Sequence, residues 1–351
     1  MKAIAAVLDK KGENACQAVF SMLAVLGRRG ADVFSMATQN QAQVAASLDK
    51  LQIEGLKSPT AIGHVFLKIL AHEKPHLQQI GNATLIFDGR IYTPSIKPLD
   101  VVAQKLEKDI DAGAKVLLKE FDGCFAFAIA KAEKLIIGRD ALGLYPLYYG
   151  ESGSILAFAS ERKALWKIGI KRANSFPPGH LLIADKKGFR IKPVKVLKRS
   201  VIAPLSMEEA VKKLQALLEQ STMERTRGLS AVAAAFSGGL DSSLVAWLAK
   251  KAGVKVHLIH VSLKNRSETE QAEKSASQLD LPFHVFLYDE GDVEQTLPEV
   301  LSAVEDCNPL MAGIGMPIFW AADKAAEIGF KVLFTGQGAD EYFGGYSRYL
   351  N

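Results

Sequence analysis

Ser237–Gly238–Gly239–Leu240–Asp241–Ser242–Ser243 combines the groups that a polyphosphate ligand requires. The run follows an apolar stretch, AVAAAF, and precedes an amphipathic one, LVAWLAKKAG, that ends at Gly253. A strand, a Gly-Gly turn and a helix start make backbone N–H groups converge on an anion at the helix N-terminus. Gly238 and Gly239 let the backbone approach phosphate oxygens closely, since no Cβ intervenes. The hydroxyls of Ser237, Ser242 and Ser243 add donors, and Asp241 can hold a magnesium ion through oxygen. No GxxxxGK followed by Ser or Thr occurs in the sequence, which excludes a Walker-type loop for γ-phosphate transfer. His72–Glu73–Lys74–Pro75–His76 spells the zinc-protease pattern HExxH, but Pro75 would break the helix that pattern needs, so no zinc site is expected.

Such a turn needs strands that end, and helices that begin, on one side of a sheet. AVAAAF (231–236), KVHLIHVS (255–262), FHVFLYD (283–289) and KVLFTG (331–336) are apolar runs separated by helix-length segments. They predict buried strands of a parallel sheet with crossover helices, a doubly wound α/β domain. Ser206 and Glu209 form a capping box ahead of it, with Met207, Val211, Leu214, Leu218 and Ser221 down one helical face.

The N-terminal half reads differently. KAIAAVL, TLIFDGRIY, CFAFAIA, KLIIGRD and HLLIAD are short β-like runs punctuated by Gly and Pro. One helix interrupts them, with Ala15, Val19, Met22, Leu23 and Leu26 on one face and a stop near Gly27 and Gly30. A mostly antiparallel α+β domain fits. KPVKVLKRSVIAPLS, about 192–206, is a basic linker, giving expected domains at 1–198 and 206–351.

Bulk properties narrow the function classes. A chain of 351 residues, 48% hydrophobic and 23% charged, is composed like an ordinary folded protein and is long enough for two domains. No apolar run approaches the roughly 20 residues needed to span a bilayer, and the N-terminus lacks a secretory apolar core. The net charge of +5 is spread along the chain, which suits anionic nucleotides better than nucleic acid. Cys16, Cys124 and Cys307 are too dispersed for a disulfide framework or a zinc cluster. A cytoplasmic protein with neither nucleic-acid nor membrane partners is expected.

SGGLDSS closely resembles the signature of the N-type ATP pyrophosphatases, which cleave ATP between the α- and β-phosphates. Their second landmark matches Thr335–Gly336–Gln337–Gly338–Ala339–Asp340–Glu341, continuing through Tyr342-Phe343-Gly344-Gly345-Tyr346-Ser347-Arg348-Tyr349. The form resembles that of asparagine synthetase. The resemblance implies an adenine-nucleotide α-hydrolase-like fold that uses ATP and magnesium. ATP would be bound by Ser237, Gly238, Gly239, Leu240, Asp241, Ser242, Ser243, Val261, Thr335 and Gly336. Asp241 and Asp340 would share the metal, with Asp241, Asp340 and Gln337 as the catalytic set. The family usually has Glu at the position of Gln337, and Gln can hydrogen-bond but cannot act as a base. The resemblance also puts the backbone around Leu258–Val261 near adenine, and Glu305 and Asp306, before CNPLMAGIGMP, in part of the acceptor-carboxylate pocket.

FDGCFAFAIA, GRDALGLYPLYY, FASERKAL and FPPGH resemble the class II glutamine amidotransferase domain of the same family, which implies an Ntn-hydrolase-like fold with antiparallel sheets. Its catalytic pieces are eroded. The family's cysteine directly after Met1 is replaced by Lys2, and Cys16 lies on the apolar helix. Arg-Gly-Pro-Asp survives as Arg29–Gly30–Ala31–Asp32. Gly-His-x-Arg becomes Gly63–His64–Val65–Phe66, and Asn-Gly-Glu becomes Asp88–Gly89–Arg90. Loss of glutamine hydrolysis is expected. The implied reaction is amidation of a carboxylate through an acyl-adenylate, with aspartate and free ammonia as the leading pair. Alternatives are another acceptor, as in the β-lactam synthetases, or a non-catalytic nucleotide-binding subunit. The family continues beyond the second landmark with a helical segment, whereas this sequence stops at Asn351. The resemblance therefore implies a fragment, a site completed by a partner chain or homodimer, or lost activity.

Overall fold

The computed structural model describes residues 2–92, 104–199 and 204–349, apart from the side chains of Arg29 and Arg348; residues 200–203 of the expected linker lie outside the described set. The chain divides into two compact units, Met1–Val201 and Ile202–Asn351.

In the first unit the strands are β1 (Ala3–Asp9), β2 (Val33–Ala37), β3 (Ala42–Ala45), β4 (Thr60–Phe66), β5 (His76–Ile80), β6 (Ala83–Ile91), β7 (Gly123–Lys131), β8 (Lys134–Arg139), β9 (Tyr148–Ser152), β10 (Ile155–Ala159), β11 (Asn174–Ser175), β12 (His180–Asp185) and β13 (Gly188–Pro193). They form two sheets, ordered β11-β9-β10-β1-β4-β2-β3 and β13-β12-β8-β7-β6-β5. Alternation sorts the side chains of β1 to two layers. Ala3, Ala5 and Val7 pack with the helix α1 (Cys16–Leu26), while Ile4, Ala6 and Leu8 cluster with Ile86, Ala128 and Ile137 of the other sheet. α1 buries Val19, Met22, Leu23 and Leu26, the face its spacing predicts. Helix α2 (Ile110–Glu120), N-capped by the Asp109 carboxylate, sets Ala114, Leu117 and Leu118 among Phe87, Phe125 and Ile129. The layers thus run helix, sheet, sheet, helix.

A turn held by a buried aspartate follows β8. Asp140 accepts hydrogen bonds from the backbone N–H groups of Leu142, Leu144 and Tyr145 at 2.9–3.1 Å, and Arg139 donates to the carbonyls of Phe176 and Gly143. The GRDALGLY segment therefore serves the scaffold, its buried Asp140 and Arg139 fixing the turn and the neighbouring strand.

The second unit carries four strands, β14 (Ala231–Ala235), β15 (Lys255–Leu263), β16 (Phe283–Tyr288) and β17 (Leu333–Phe334), in a parallel sheet ordered β16-β15-β14-β17. Its helices are α3 (Met207–Thr226), α4 (Leu240–Lys251), α5 (Glu268–Leu279), α6 (Glu290–Val304), α7 (Pro309–Glu327) and α8 (Ala339–Phe343). Ala246 and Ala249 of α4 and Ala272 and Ala276 of α5 pack with Val232, Ala234 and Phe236. Ala321 and Ala325 of α7 pack on the opposite face with Ala233 and Ile259. Helices on both faces make the sheet doubly wound. Small alanines at these contacts let helices approach the sheet closely.

Two expectations need correction. FHVFLYD is not a buried strand: β16 is at the sheet edge, with Val285 39% and Leu287 47% exposed. The apolar stripe of α3, although it opens on the expected Ser206–Glu209 capping box, leaves Met207 80% and Val211 54% exposed. No helix among the described residues is long and apolar enough to cross a membrane.

Neighbouring strands β15 and β16 stack two imidazoles, His257 and His284, with Nδ1 and Nε2 3.0 Å apart. One ring must donate and the other accept, so the contact does not survive double protonation. Burial, then the neighbouring His284 and Lys255, hold the His257 pKa below its ordinary 6.5. The unfolded chain therefore binds a proton that the folded chain resists, and stability falls as pH drops below about 6.5. We expect the urea midpoint of this unit to decrease between pH 7.5 and 5.5, with a shallower slope in His257→Phe. An unchanged slope would remove the pair as its cause.

Candidate functional site

The C-terminal end of β14 runs directly into the glycine turn. Phe236 is buried, and Gly238 adopts φ +79°, the left-handed region that glycine tolerates. Space enforces the same choice: a Cβ on Gly238 would lie 2.6 Å from the Ala272 Cα of α5. α5 therefore backs the turn, and its Ser275 hydroxyl donates to the Gly238 carbonyl at 3.0 Å. Gly239 is the N-cap of α4 and supplies no capping side chain, so the first N–H groups of the helix lack a side-chain partner there. Ser237 accepts from the Gly239 N–H at 3.3 Å, and Ser242 donates to the Gly239 carbonyl at 3.1 Å.

The second loop lies at the end of β17, beside β14. Gly338, at φ +102°, precedes the short α8, and Gly344, at φ +70°, ends it. Gly336 presses on the first motif: a Cβ there would meet the Ser242 nitrogen at 2.9 Å and the Asp241 Cβ at 3.1 Å. Two segments remote in sequence thus meet backbone to backbone, and a cavity of about 780 Å3 lies between them.

Ser237, Gly238, Gly239, Asp241, Ser242, Val261, Thr335, Gly336, Gln337 and Asp340 all line that cavity. Leu240 and Ser243 do not. Helical periodicity carries them to the face shared with Leu244 and Trp247, and Leu240 is 81% exposed. Glu305 and Asp306 do not line it either. Glu305 ends α6 in the left-handed conformation, and Asp306 accepts from the Asn308 N–H at 3.0 Å.

His260, Glu268 and Gln271 also line the cavity, although the motifs do not mark them. His260 is buried, its Nδ1 is 2.8 Å from the Phe236 carbonyl, and its Nε2 is 3.2 Å from the Thr269 hydroxyl. A carbonyl can only accept, so Nδ1 carries the proton and Nε2 accepts from Thr269. The imidazole thereby ties the backbone entering the glycine turn to the start of α5. A histidine on the strand next to the turn was the available signal.

In the first unit, side chains pair with one another at the positions of the eroded motifs, although the buried His64 has no hydrogen bond at either ring nitrogen. Lys2 pairs with Glu73 at 3.2 Å and lies 4.5 Å over the Phe66 ring. Burial alone would raise the Glu73 pKa, but N–H bonds from Ile69 and Leu70, together with Lys2, hold it below the usual range. Tyr145 donates to the buried Asp88 carboxylate, and Asp88 lies 3.5 Å from His64 Nε2. Burial, reinforced by Asp88, pushes the Tyr145 pKa well up. Gly89, at φ +131°, has no room for a Cβ against Cys124 and Phe125. Cys16 is buried in the α1 interface and burial raises its thiol pKa, the reverse of an activated nucleophile. His72 lies in a turn and His76 in β5, so they share no helix, and no group of three or more potential metal ligands occurs among the described residues.

Two protein families match separate stretches of the chain. The family described as "Asparagine synthase" matches residues 213–351, and that described as "Glutamine amidotransferase domain" matches residues 66–167. The chain is 30% identical, over 381 aligned residues, to a putative asparagine synthetase [glutamine-hydrolyzing] 1 of Methanocaldococcus jannaschii; the match covers 99% of this chain and 70% of that protein. A probable asparagine synthetase of Dictyostelium discoideum is 30% identical over 66% of this chain, and the Zea mays asparagine synthetase 31% over 64%. The chain spans 45% and 40% of the length of those two relatives. A solved glutamine phosphoribosylpyrophosphate amidotransferase from B. subtilis matches 95% of this chain and 90% of its own, at 16% identity and a TM-score of 0.44. Similarity to the Methanocaldococcus relative along 99% of this chain, together with the two family matches, shows that this chain belongs to the asparagine synthetase family.

Proposed function

We propose that the second unit is an adenine-nucleotide α-hydrolase-like ATP pyrophosphatase domain that activates a carboxylate with ATP for amidation, releasing AMP and pyrophosphate. The first unit is then a class II glutamine amidotransferase-like, Ntn-hydrolase-type domain that no longer hydrolyses glutamine, and ammonia is the nitrogen source. Aspartate is the reference acceptor by family membership. One observation carries the reading: Gly336 packs on Asp241 and Ser242, bringing a glycine turn, a helix N-terminus and two carboxylates to one cavity.

The N–H groups of the turn and of the α4 start, with the Ser237 and Ser242 hydroxyls, would hold the pyrophosphate oxygens as charge builds on them. Asp241 and Asp340 suit magnesium, which is commonly held by one or two carboxylates while substrate phosphates supply further oxygens. The ion would neutralise charge on the leaving pyrophosphate. Val261, at the end of β15, lines the side of the cavity where adenine would lie. Gln337 would orient a substrate by hydrogen bonding and hold no proton for transfer.

The test is AMP release from ATP and magnesium with an acceptor and either ammonium or glutamine. Ammonium should support release and glutamine should not. Lys2→Cys should also fail to restore glutamine use. A thiol there would face Phe66 in place of the family's arginine and a buried Asp88 in place of its asparagine. Glutamine-dependent turnover in either protein would overturn the ammonia assignment. ATP binding without AMP release under any condition would favour a nucleotide-binding subunit.

A further inference from the structure

The glycine turn does little to hold itself. Gly238 and Gly239 bring wide backbone freedom, and the internal ties are long. The Gly239 N–H reaches the Ser237 Oγ at 3.3 Å, and the Ser237 and Ser242 hydroxyls are 3.2 Å apart. The firmer grips come from α5, where Thr269, Ala272 and Ser275 recur every third residue and so share one side of the helix. Ala272 backs Gly238, whose Cβ, if it had one, would lie 2.6 Å from the Ala272 Cα. Ser275 donates to the Gly238 carbonyl at 3.0 Å. Thr269 acts through His260: its hydroxyl donates to Nε2 at 3.2 Å, and Nδ1–H donates to the Phe236 carbonyl at 2.8 Å. The imidazole is buried and packs at a tilt on the Phe283 ring, with centroids 5.7 Å apart.

The two carbonyls held in this way, of Phe236 and Gly238, flank Ser237. A peptide group is planar, so its carbonyl and the N–H that follows point in opposite directions. Fixing the Phe236 carbonyl therefore fixes the direction of the Ser237 N–H, and fixing the Gly238 carbonyl fixes that of the Gly239 N–H. We infer that His260 is a positioning residue for the nucleotide: linked to Thr269, it sets the direction in which the turn presents its N–H groups, and thereby the affinity for the β- and γ-phosphates. The inference rests on the role proposed for the turn in holding pyrophosphate. His260 lines the cavity but has no donor to spare for a ligand, because Nδ1–H is committed to the Phe236 carbonyl and Nε2 to Thr269. Its effect passes through the backbone. A hydrogen bond weakens steeply as its angle closes toward about 120°, so a rotated peptide forfeits a ligand contact that needs no other change.

Thr269→Val tests the link, since it exchanges a hydroxyl for a methyl of similar size at a half-buried position. The buried Nε2 then lacks its donor, which favours rotation of the ring and release of the Phe236 carbonyl. His260→Phe removes both hydrogen bonds and keeps a ring beside Phe283. The probes are ATP and AMP, each with magnesium, titrated calorimetrically against the whole chain. In both variants ATP affinity should fall about tenfold, the worth of one hydrogen bond, while AMP, which lacks the β- and γ-phosphates, stays within about threefold. Thr269→Ser keeps the hydroxyl and should recover the ATP affinity. Because both side chains act in one link, the double variant should bind ATP no more weakly than His260→Phe alone. Should His260→Phe not fold, Thr269→Val against Thr269→Ser carries the comparison. Equal weakening of ATP and AMP would reduce His260 to a structural residue, and unchanged ATP affinity in Thr269→Val would remove the link. A parent chain that binds no ATP would overturn the inference together with the role of the turn. AMP release with an acceptor is scored separately. ATP bound with the expected discrimination but never converted would refute adenylation and leave the assignment of His260 standing.

Discussion

Asp241→Asn should lower AMP release from ATP and magnesium by about two to three orders of magnitude, the scale seen when one preorganised electrostatic contact to a transition state is removed. The side chain is in the first turn of α4, at the cavity wall, with Gly336 packed against its Cβ. Asparagine keeps the volume and the packing, but its amide is a far poorer ligand for a hard divalent cation. Folding should scarcely notice. Loss of a carboxylate at a helix N-terminus costs about 0.3–1 kcal/mol at a surface site. Nucleotide binding should persist in weakened form, because the N–H groups of the turn remain. The measurements are AMP release under single-turnover conditions and a denaturant melt on the same sample. Release within threefold of the parent would remove Asp241 from the proposed metal site.

Gly238→Ala should damage both stability and nucleotide affinity. An alanine at φ +79° is strained by about 1–3 kcal/mol. Its methyl would also meet the Ala272 backbone at 2.6 Å, a neighbour that cannot rotate away as a side-chain tip could. Either α5 retreats or the turn shifts, and in both cases the Ser275 bond to the Gly238 carbonyl is lost. A shifted turn misdirects N–H groups whose value depends on aim, so ATP affinity should fall about a hundredfold, equivalent to roughly 2.7 kcal/mol. Gly253→Ala is the control. Gly253 has φ +86° but nothing within 4 Å of the added Cβ, and it is at the far end of α4. That variant should lose stability while keeping ATP affinity. Equal losses of affinity in both variants would mean that general destabilisation, not the aim of the turn, explains the result.

What the sequence disclosed follows from the range of each signal. The buried face of α1 and the Ser206–Glu209 capping box are local patterns, and both are present. The strand segments of both units were legible because short apolar or alternating runs lay between turn residues. Burial was not legible where it depends on position in the sheet. Nothing in FHVFLYD says that β16 has a neighbour on one side alone, and nothing in the spacing of α3 says that Met207 meets solvent. The glycine turn was legible as a unit but too coarsely, since a contiguous motif includes Leu240 and Ser243, which the helix turns away. Glu268 and Gln271 were invisible for the opposite reason. Each arises from elements that meet in space with no shared motif.

The place of β1 in its sheet has a consequence for the nascent chain. The strand is bonded to β4 on one side and to β10, starting at Ile155, on the other. At about 5–20 residues per second, the roughly 150 residues between β1 and β10 take on the order of ten to thirty seconds to emerge from the ribosome. Throughout that interval one edge of a largely apolar strand has no partner, an open template for strand recruitment between neighbouring polypeptides. An early segment is thus among the last to be locked, and translation speed across the intervening stretch sets how long that edge stays exposed.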